Sequence, residues 1–313
     1  MARYLVTGGA GFIGSNIARR LLEEGQEVTV LDNFSSGHRR NLEGLESRIR
    51  LIEGDVRNEE DVRAALEGVR YVIHQAALPS VQRSVADPFP TNDANVNGTL
   101  RLLWESHKAG VARLVMASSS SVYGESPTLP KREDMEPAPM SPYAVSKLAA
   151  EVYGQSFTRT YGLEVVALRY FNVFGPHQDP EGAYAAVIPK FIALMIEGRA
   201  PTIYGDGRQS RDFSYIDNVV QANIKACTAP GAAGGVYNVA CGERTDLLDL
   251  VAVLNEILGT ELVARHEEDR TGDIKHSLAD IEAARRDLGY EVEVDFAEGI
   301  RKTVAWYRGQ LAG

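Results

Sequence analysis

The sequence predicts an α/β fold of the Rossmann type, in which a doubly wound parallel sheet carries a smaller mixed α/β lobe. The chain opens with an apolar strand at residues 3–7, a glycine-rich turn from Gly8 to Gly14 and an amphipathic helix that ends near Gly25. Apolar strands and helices then alternate, with short connections, as far as residue 117. This alternation is typical of a parallel sheet covered by helices on both faces.

Composition limits the class of protein. Of the 313 residues, 44% are hydrophobic and 24% charged, as in ordinary soluble globular proteins. The net charge of -10 argues against a nucleic-acid or anionic-membrane partner. The two cysteines, Cys227 and Cys241, are not in a metal-ligand spacing, so we predict no metal site. The apolar run at the start is too short for a signal peptide or a membrane span, and we expect a cytoplasmic protein.

The glycine-rich turn predicts a dinucleotide site. Gly8 allows the tight turn, Gly11 lets the backbone approach a pyrophosphate, and Gly14 lets the helix pack on the strand. The helix N-terminus adds free N–H groups and positive potential for the phosphates. A glycine pattern alone could be a structural turn, but its place between a strand and a helix favours a cofactor site.

The second strand indicates which dinucleotide is bound. It runs from Glu27 to Leu31 and ends at Asp32. A carboxylate there accepts hydrogen bonds from the adenosine ribose and repels a 2′-phosphate, which favours NAD over NADP. Arg39 and Arg40 are the counter-indication, because either could pair with such a phosphate.

The next strands bring further residues to the same edge of the sheet. The strand at residues 49–53 is followed by Asp55 and Val56, in position to meet the adenine. The strand at residues 69–74 continues into Gln75-Ala76-Ala77, whose alanines suit a backbone passing close under a cofactor. We interpret His74, where this strand ends, as structural rather than catalytic. The remaining elements of this half are helices at residues 59–66 and 95–107 and a strand at residues 113–117.

Tyr143 and Lys147 are the pair on which a catalytic interpretation depends. Ser141 can cap a helix and Pro142 suits its first position, so a helix begins here and holds the two side chains one turn apart on one face. Free tyrosine has a pKa of about 10, so a base at pH 7 needs a shift of about 3 units, roughly 4 kcal/mol. One positive charge at about 4 Å supplies that much at an effective dielectric of about 20. By itself such a pair is common on helix surfaces.

A run of four serines gives the pair its context. The strand at residues 113–117 leads into Ser118-Ser119-Ser120-Ser121, at the edge where parallel sheets bind ligands. Elsewhere such a run would be a solvated loop. Here, shortly before Tyr143, it offers hydrogen-bonding groups to a substrate hydroxyl.

Together these motifs resemble the extended short-chain dehydrogenase/reductase family, and more narrowly its nucleotide-sugar 4-epimerases of the UDP-galactose and UDP-N-acetylglucosamine kind. The resemblance covers nearly the whole chain and continues through Arg169 to Pro176, Tyr204 to Gly207, Arg211 to Phe213 and Arg270 to Asp273. It implies an isomerase that retains NAD, oxidises the 4-hydroxyl of a UDP-sugar to a transient ketone and reduces it on the other face.

The resemblance also implies residue roles. Tyr143 matches the catalytic base, Lys147 the lysine that lowers the pKa of this tyrosine and holds the nicotinamide ribose, and Ser119 the serine that bonds the 4-hydroxyl. Arg211 and Arg270 match the diphosphate clamp, and Asp273 the contact to the uridine ribose. The implied cofactor-binding residues are Gly8, Gly11, Phe12, Ile13, Gly14, Asp32, Asn33, Ser36, Gly37, Asp55, Val56, Gln75, Ala76, Ala77, Ala117, Tyr143, Lys147 and Tyr170. The implied substrate-binding residues are Ser119, Ser120, Ser121, Tyr143, Asn172, Ala186, Val187, Tyr204, Arg211, Arg270, Asp273 and Ser277.

Alternative functions stay open. A nucleotide-sugar 4,6-dehydratase shares the tyrosine and lysine but carries Asp-Glu where this chain has Ser120-Ser121, and hydroxyls cannot replace that acid–base pair. Decarboxylating relatives and uronate epimerases are minor alternatives, because this chain offers no obvious extra basic residue for a C6 carboxylate. A non-catalytic dinucleotide sensor would not need the serine, tyrosine and lysine together.

The sugar is predicted from one position. In the family, the residue that matches Ser277 gates the space beside C2 of the sugar, and a small residue there admits an N-acetyl group. Ser277 therefore favours interconversion of UDP-GlcNAc and UDP-GalNAc, with UDP-Glc and UDP-Gal as further substrates. An epimerase restricted to the plain sugars is the alternative.

We expect two domains and two copies of the chain. Residues 1–172, with parts of 205–240 returning, are predicted to form the NAD-binding domain, and residues 173–313 mainly the substrate-binding lobe. The family implies a homodimer that pairs the helices at 95–107 and 143–161. Helices predicted in the second half are Tyr184–Glu197, Asp217–Cys227, Thr245–Leu258 and Phe296–Tyr307.

Overall fold

The computed structural model describes residues 2–180, 186–268 and 275–312. Its centre is a seven-stranded sheet in which every neighbouring pair of strands is parallel, in the order β3-β2-β1-β4-β5-β6-β11. These strands are β1 (Arg3–Thr7), β2 (Glu27–Asp32), β3 (Ile49–Glu53), β4 (Tyr71–His74), β5 (Arg113–Ser119), β6 (Glu164–Tyr170) and β11 (Val236–Val239). The order reverses between β1 and β4, so the Rossmann-type doubly wound sheet is confirmed.

Helices cover both faces of this sheet, because successive strand residues point to opposite sides and both sides are apolar. On β5, for example, Val115 belongs to one buried cluster, whereas Leu114 and Met116 belong to the other. The helices are α1 (Phe12–Glu23), α2 (Glu59–Ala65), α3 (Val81–Ala86), α4 (Pro88–Asn92), α5 (Gly98–Lys108), α6 (Pro142–Tyr161), α7 (Val187–Ile196), α8 (Ile216–Thr228), α9 (Leu247–Leu258), α10 (Glu282–Leu288) and α11 (Phe296–Ala312).

In the first half of the chain, α3 and α4 have no counterpart in the sequence prediction, and three predicted elements differ from it by two or more residues at one end. β4 begins at Tyr71 rather than residue 69, and β5 continues through the first two serines of the run, as far as Ser119. The helix predicted at residues 95–107 is an α-helix only from Gly98, after a π-helical stretch at Asp93–Asn97. Inside that stretch the buried Asn95 bonds both backbone groups of Leu78 and the hydroxyl of Ser146, and these contacts hold the wider turn.

The second half consists of helices joined by short strands. The strands form pairs outside the main sheet, and they are β7 (Val173–Phe174) with β10 (Ser214–Tyr215), β9 (Ser210–Arg211) with β12 (Thr245–Asp246), and β8 (Thr202–Tyr204) with β13 (Arg265–Glu267). Two of the four predicted helices begin later than expected. α9 starts at Leu247, because Asp246 caps it and pairs with β9. α7 starts at Val187, and the predicted start at Tyr184 lies outside the described residues.

Two elements of the second half return to the main sheet. β11 lies beside β6 at the edge of the sheet, and α8 packs against α1 and the strands β4 to β6. The boundary of the NAD-binding domain at residue 172 stays a prediction. Across the three described ranges, every helix is too short or too polar to span a membrane.

Candidate active site

The β1–α1 turn has the shape that a dinucleotide diphosphate requires. Gly8 has φ +68°, and a Cβ there would lie 2.6 Å from the backbone N of Ala76. A Cβ at Gly14 would lie 2.2 Å from the carbonyl oxygen of Gly8. Gly11 is the N-cap of α1 and has no side chain to occupy the first amides of the helix. The turn therefore leaves N–H groups and positive potential for phosphate oxygens.

Asp32 lies where the adenosine ribose is expected. Its carboxylate is buried and accepts hydrogen bonds from the backbone N of Ala10 and of Phe34, both at 2.8 Å. Burial raises the pKa of Asp32, and these two amides offset part of that effect. Arg39 and Arg40, the counter-indication to NAD, are both engaged with carboxylates. Arg39 pairs with Glu53 and lies 4.2 Å from the ring centre of Phe34, and Arg40 lies 3.6 Å from Asp179.

The other cofactor candidates meet along the carboxyl edge of the sheet. The Asn33 amide donates to Asp55 at 2.7 Å, and the Gln75 amide donates to the hydroxyl of Tyr170 at 3.0 Å. Gly37 packs directly against Ala10 of the glycine turn. Phe12 and Ile13 begin α1, and the other candidates lie near strand ends: Ser36 after β2, Val56 after β3, Ala77 after β4 and Ala117 among the last residues of β5.

Ser119, Tyr143 and Lys147 come together at this edge. The Ser141 hydroxyl accepts a hydrogen bond from the backbone N of Ala144 at 3.2 Å, and Pro142 is the first residue of α6, so the helix begins as predicted. The Tyr143 side chain lies close to that of Ser119 at the end of β5. Lys147 Nζ lies 5.9 Å from the Tyr143 ring centre. A phenol, a hydroxyl and an ammonium are thus grouped at one place, and such a group can carry out acid–base chemistry.

The expected lowering of the tyrosine pKa by Lys147 is not met in the protein alone. Burial raises the pKa of Tyr143, and Ser119 is the described residue that counteracts this rise. Lys147 is buried, and its Nζ donates to the carbonyl of Ala117 at 3.0 Å instead of to the phenol. Burial lowers the pKa of Lys147 to about 8, and Glu151 opposes this effect. A tyrosine base near pH 7 therefore needs positive charge beyond that of Lys147.

Two side chains without a predicted role hold α6 in place. The buried Ser84 hydroxyl of α3 accepts a hydrogen bond from the backbone N of Tyr143 at 3.1 Å. Glu151, one turn after Lys147, is buried and accepts hydrogen bonds from Ser118 and Arg169. The four-residue spacing from Lys147 is a signal that could have found Glu151. The Ser84 contact has no comparable local signal, because it joins residues 59 positions apart.

The substrate candidates lie in two groups. Ser120 and Ser121 form part of a 3-10 turn after β5, and Ser121 Oγ is buried without a hydrogen-bond partner among the described residues. Ser277 and Arg211 are close together, since the backbone N of Ser277 donates to the carbonyl of Ser210 at 3.0 Å. Asn172 follows β6, Ala186 and Val187 begin α7, and Tyr204 ends β8. Arg270 and Asp273 lie outside the described residues.

Asp212 holds the second group in place. Its fully buried carboxylate accepts three backbone hydrogen bonds, from Cys241 at 2.9 Å, Gly242 at 3.0 Å and Ala279 at 3.1 Å. The carbonyl of the same residue accepts a bond from the Asn172 amide at 3.3 Å. One side chain therefore ties the Arg211 strand to the segment that carries Ser277.

A tyrosine and a lysine one helical turn apart, at the edge of a parallel sheet that opens with a glycine-rich turn, are typical of the extended short-chain dehydrogenase/reductases, and this protein is of that class. Comparison with known proteins narrows the class. The model of the NAD dependent epimerase/dehydratase family matches residues 4–240, and the chain belongs to this family. Its cofactor is NAD, which agrees with the position of Asp32.

Named relatives resemble the chain along its whole length. It is 38% identical over 317 residues to the UDP-glucose 4-epimerase of Mycolicibacterium smegmatis, covering 98% of this chain and 99% of that protein. The structure of the UDP-N-acetylglucosamine 4-epimerase from Methanobrevibacter ruminantium M1, in complex with UDP-N-acetylmuramic acid, is 41% identical with a TM-score of 0.94 and 99% coverage of both chains. A dTDP-glucose 4,6-dehydratase of Streptomyces griseus is 36% identical, covering 97% of this chain and 93% of that protein.

Proposed function

We propose that this protein is a UDP-sugar 4-epimerase. The observation that carries the proposal is the contact of Tyr143 with Ser119, beside Lys147, in a site where Ser120 and Ser121 follow instead of an acid pair. Identity alone does not separate epimerases from dehydratases, since relatives of both kinds match the whole chain. Elimination of water needs a proton donor and a proton acceptor at neighbouring carbons, and two serine hydroxyls supply neither at neutral pH.

The side chains of the site have distinct tasks in this reaction. Tyr143 removes the proton of the sugar 4-hydroxyl and later returns it, and Ser119, which lies close to the phenol, orients that hydroxyl. Lys147, held by the Ala117 carbonyl, is proposed to bond the nicotinamide ribose. When bound, NAD supplies a hydride acceptor and donor for C4 of the sugar, and a positive nicotinamide ring. Because burial raises the pKa of Tyr143, the phenolate forms best when that charge is present.

The diphosphate of the substrate is proposed to lie against Arg211 and Asn172. Arg211 Nη1 donates to the carbonyls of Ser210 at 3.0 Å and Lys275 at 3.3 Å. The guanidinium is therefore held between β9 and the segment that carries Ser277. By the family resemblance, Arg270 is proposed as the second arginine that binds the diphosphate, and Asp273 as the residue that binds the uridine ribose. Arginine suits this task because its planar group bonds phosphate oxygens in pairs.

Acetylated sugars are the proposed preferred substrates, with the plain UDP-hexoses also accepted. Ser277 is small, and its backbone is fixed to the carbonyl of Ser210, so the space beside it is not filled by a large gate residue. The similarity to a protein named as a UDP-N-acetylglucosamine 4-epimerase supports this preference.

A homodimer through α5 and α6 is supported by exposed apolar side chains on these helices. Val145 and Val152 are seven residues apart on α6, and they are 52% and 56% exposed. Trp104 of α5 and Tyr161 of α6 are in ring contact at 5.7 Å and are also exposed. Several exposed apolar side chains on two neighbouring helices are typical of a protein–protein interface.

The test is turnover of UDP-Glc, UDP-Gal, UDP-GlcNAc and UDP-GalNAc by purified protein, with and without added NAD, followed by proton NMR of the sugar. Inversion at C4 without net oxidation is expected. Tyr143→Phe should lower kcat about 1,000-fold, the scale of a lost acid–base group, and should leave NAD binding intact. Tyr153→Phe, an exposed phenol on the same helix, is the matched control. A 4-keto-6-deoxy product, or unchanged substrates with NAD bound, would refute the proposal.

A further inference from the structure

Three side chains form a stripe along α6, one turn apart: Tyr143, Lys147 and Glu151. Lys147 is 7% and Glu151 3% exposed. Both reach the end of β5, where Lys147 Nζ donates to the carbonyl of Ala117 and the Ser118 hydroxyl donates to the Glu151 carboxylate. The Glu151 carboxylate therefore lies on the same face of α6 as the Lys147 ammonium, one turn further along the helix and away from solvent.

A guanidinium approaches the same carboxylate from β6. Arg169 donates through Nε at 3.0 Å and through Nη2 at 2.8 Å to Glu151, and it is only 4% exposed. Its other side lies 4.8 Å from the ring centre of Tyr123. A buried ion pair contributes little net stability, because desolvation offsets the attraction between the charges. The position of the Glu151–Arg169 ion pair next to Lys147 therefore calls for an explanation other than stability.

We propose that Glu151 is a positioning residue that keeps Lys147 protonated in its buried place, and that Arg169 limits the strength of this effect by pairing with the same carboxylate. The inference rests on the proposed function for its catalytic meaning. The ammonium form is the one that can bond the nicotinamide ribose and stabilise a Tyr143 phenolate. Loss of that proton would remove both contributions.

The other groups that face Lys147 do not supply this effect. On β4, His74 is neutral, because burial and then the charge of Lys147 lower its pKa to about 3. β5 contributes the Ala117 carbonyl and serine hydroxyls, which do not titrate near neutral pH. On α6, Tyr143 is a neutral phenol whose pKa burial raises. Among these neighbours Glu151 is the anion, and it opposes the fall in the pKa of Lys147 that burial causes.

The experiment compares Glu151→Gln with Arg169→Gln, which should act in opposite directions. Removing the carboxylate should move the titration of Lys147 to lower pH by about one to two units. Removing the guanidinium leaves the carboxylate unneutralised and should move the titration to higher pH. The first readout is NMR of protein labelled with 13C-lysine, titrated without NAD or substrate, with the Lys147 signal identified by its loss in Lys147→Met. Exposed Lys190 serves as the internal control.

The second readout is the alkaline limb of the kcat/KM profile with UDP-Glc and UDP-GlcNAc, which should follow the same two shifts. Glu151→Asp keeps the charge and should restore most of the wild-type profile. Titration shifts in a protein that epimerises no sugar would refute the proposed function and leave the role of Glu151 intact. An active enzyme whose Lys147 titrates alike in wild type and both variants would overturn the inference. If Glu151→Gln does not fold, the upward shift in Arg169→Gln decides alone.

Discussion

His74 should make the protein lose stability in mild acid. The imidazole is 5% exposed, with Nδ1 2.7 Å from the hydroxyl of Thr7 and Nε2 2.8 Å from that of Thr99. The Thr99 hydroxyl donates to the carbonyl of Asn95 at 2.6 Å, so it accepts from Nε2–H, and Nδ1 is left to accept from Thr7. Both ring nitrogens are thus satisfied in the neutral form. Burial and then the charge of Lys147 lower the pKa of His74 from 6.5 to about 3.

The size of the effect follows from these two pKa values. The native pKa lies below the unfolded one, so the stabilisation is complete above pH 6.5 and is lost as the pH falls toward 3. Between these pH values His74 binds a proton in the unfolded chain but not in the native state. Each pH unit costs about 1.4 kcal/mol, and lowering the pH from 7 to 4 should remove about 3 kcal/mol of unfolding free energy.

The measurement is urea unfolding of wild type and His74→Asn at pH 7 and pH 4, followed by circular dichroism at one protein concentration. The variant should be less stable at pH 7, because one threonine loses its partner, yet its stability should fall by about 3 kcal/mol less between the two pH values. His38→Asn, at an exposed imidazole, is the control and should behave as wild type. An equal loss in wild type and His74→Asn would show that His74 does not cause the acid sensitivity.

Two further predictions concern the substrate and the assembly. Ser277→Tyr should lower kcat/KM for UDP-GlcNAc by about 10- to 100-fold, since a ring would fill the space for the N-acetyl group, and UDP-Glc should be affected several-fold less. Ser277→Ala is the control, and equal losses on both sugars would remove Ser277 as the gate. Val152→Glu should convert the proposed dimer into a monomer, as measured by light scattering after size-exclusion chromatography, because it places a charge in the apolar face of α6. Ala252→Glu on exposed α9 should leave the dimer intact, and a dimeric Val152→Glu would exclude this face.

The sequence predicts those parts of the fold whose chemistry is local. A strand before Gly8 and a helix after Gly14 leave few alternatives for the turn between them. The start of α6 is equally local, because the Ser141 cap, Pro142 and the capped amide of Ala144 lie within four residues. The short strands of the second half are different. β9, only two residues long, is a strand because β12 pairs with it from 34 residues further along the chain. No periodic pattern fits in two residues, so such strands could not be predicted.

The same distinction applies to the site. The spacing from Tyr143 to Lys147 indicates a shared helix face, but not that the ammonium bonds the Ala117 carbonyl or that burial raises the tyrosine pKa. Those facts depend on how closely β5 and α6 pack. Likewise, Arg39 is an argument for NADP in the sequence, but in the structure it pairs with Glu53, the last residue of β3. The electrostatics of the site depend on contacts between side chains that are distant in sequence, and these contacts cannot be derived from one sequence.

The carboxylate of Asp212 has a consequence for the order in which the molecule forms. Its amide partners at Cys241 and Gly242 emerge from the ribosome some thirty residues later, and the one at Ala279 emerges 67 residues later. A nascent chain that has reached residue 240 already holds all seven strands of the main sheet. We therefore expect the growing protein to form its dinucleotide-binding sheet first. The proposed substrate site should be completed only after Ala279 has been synthesised.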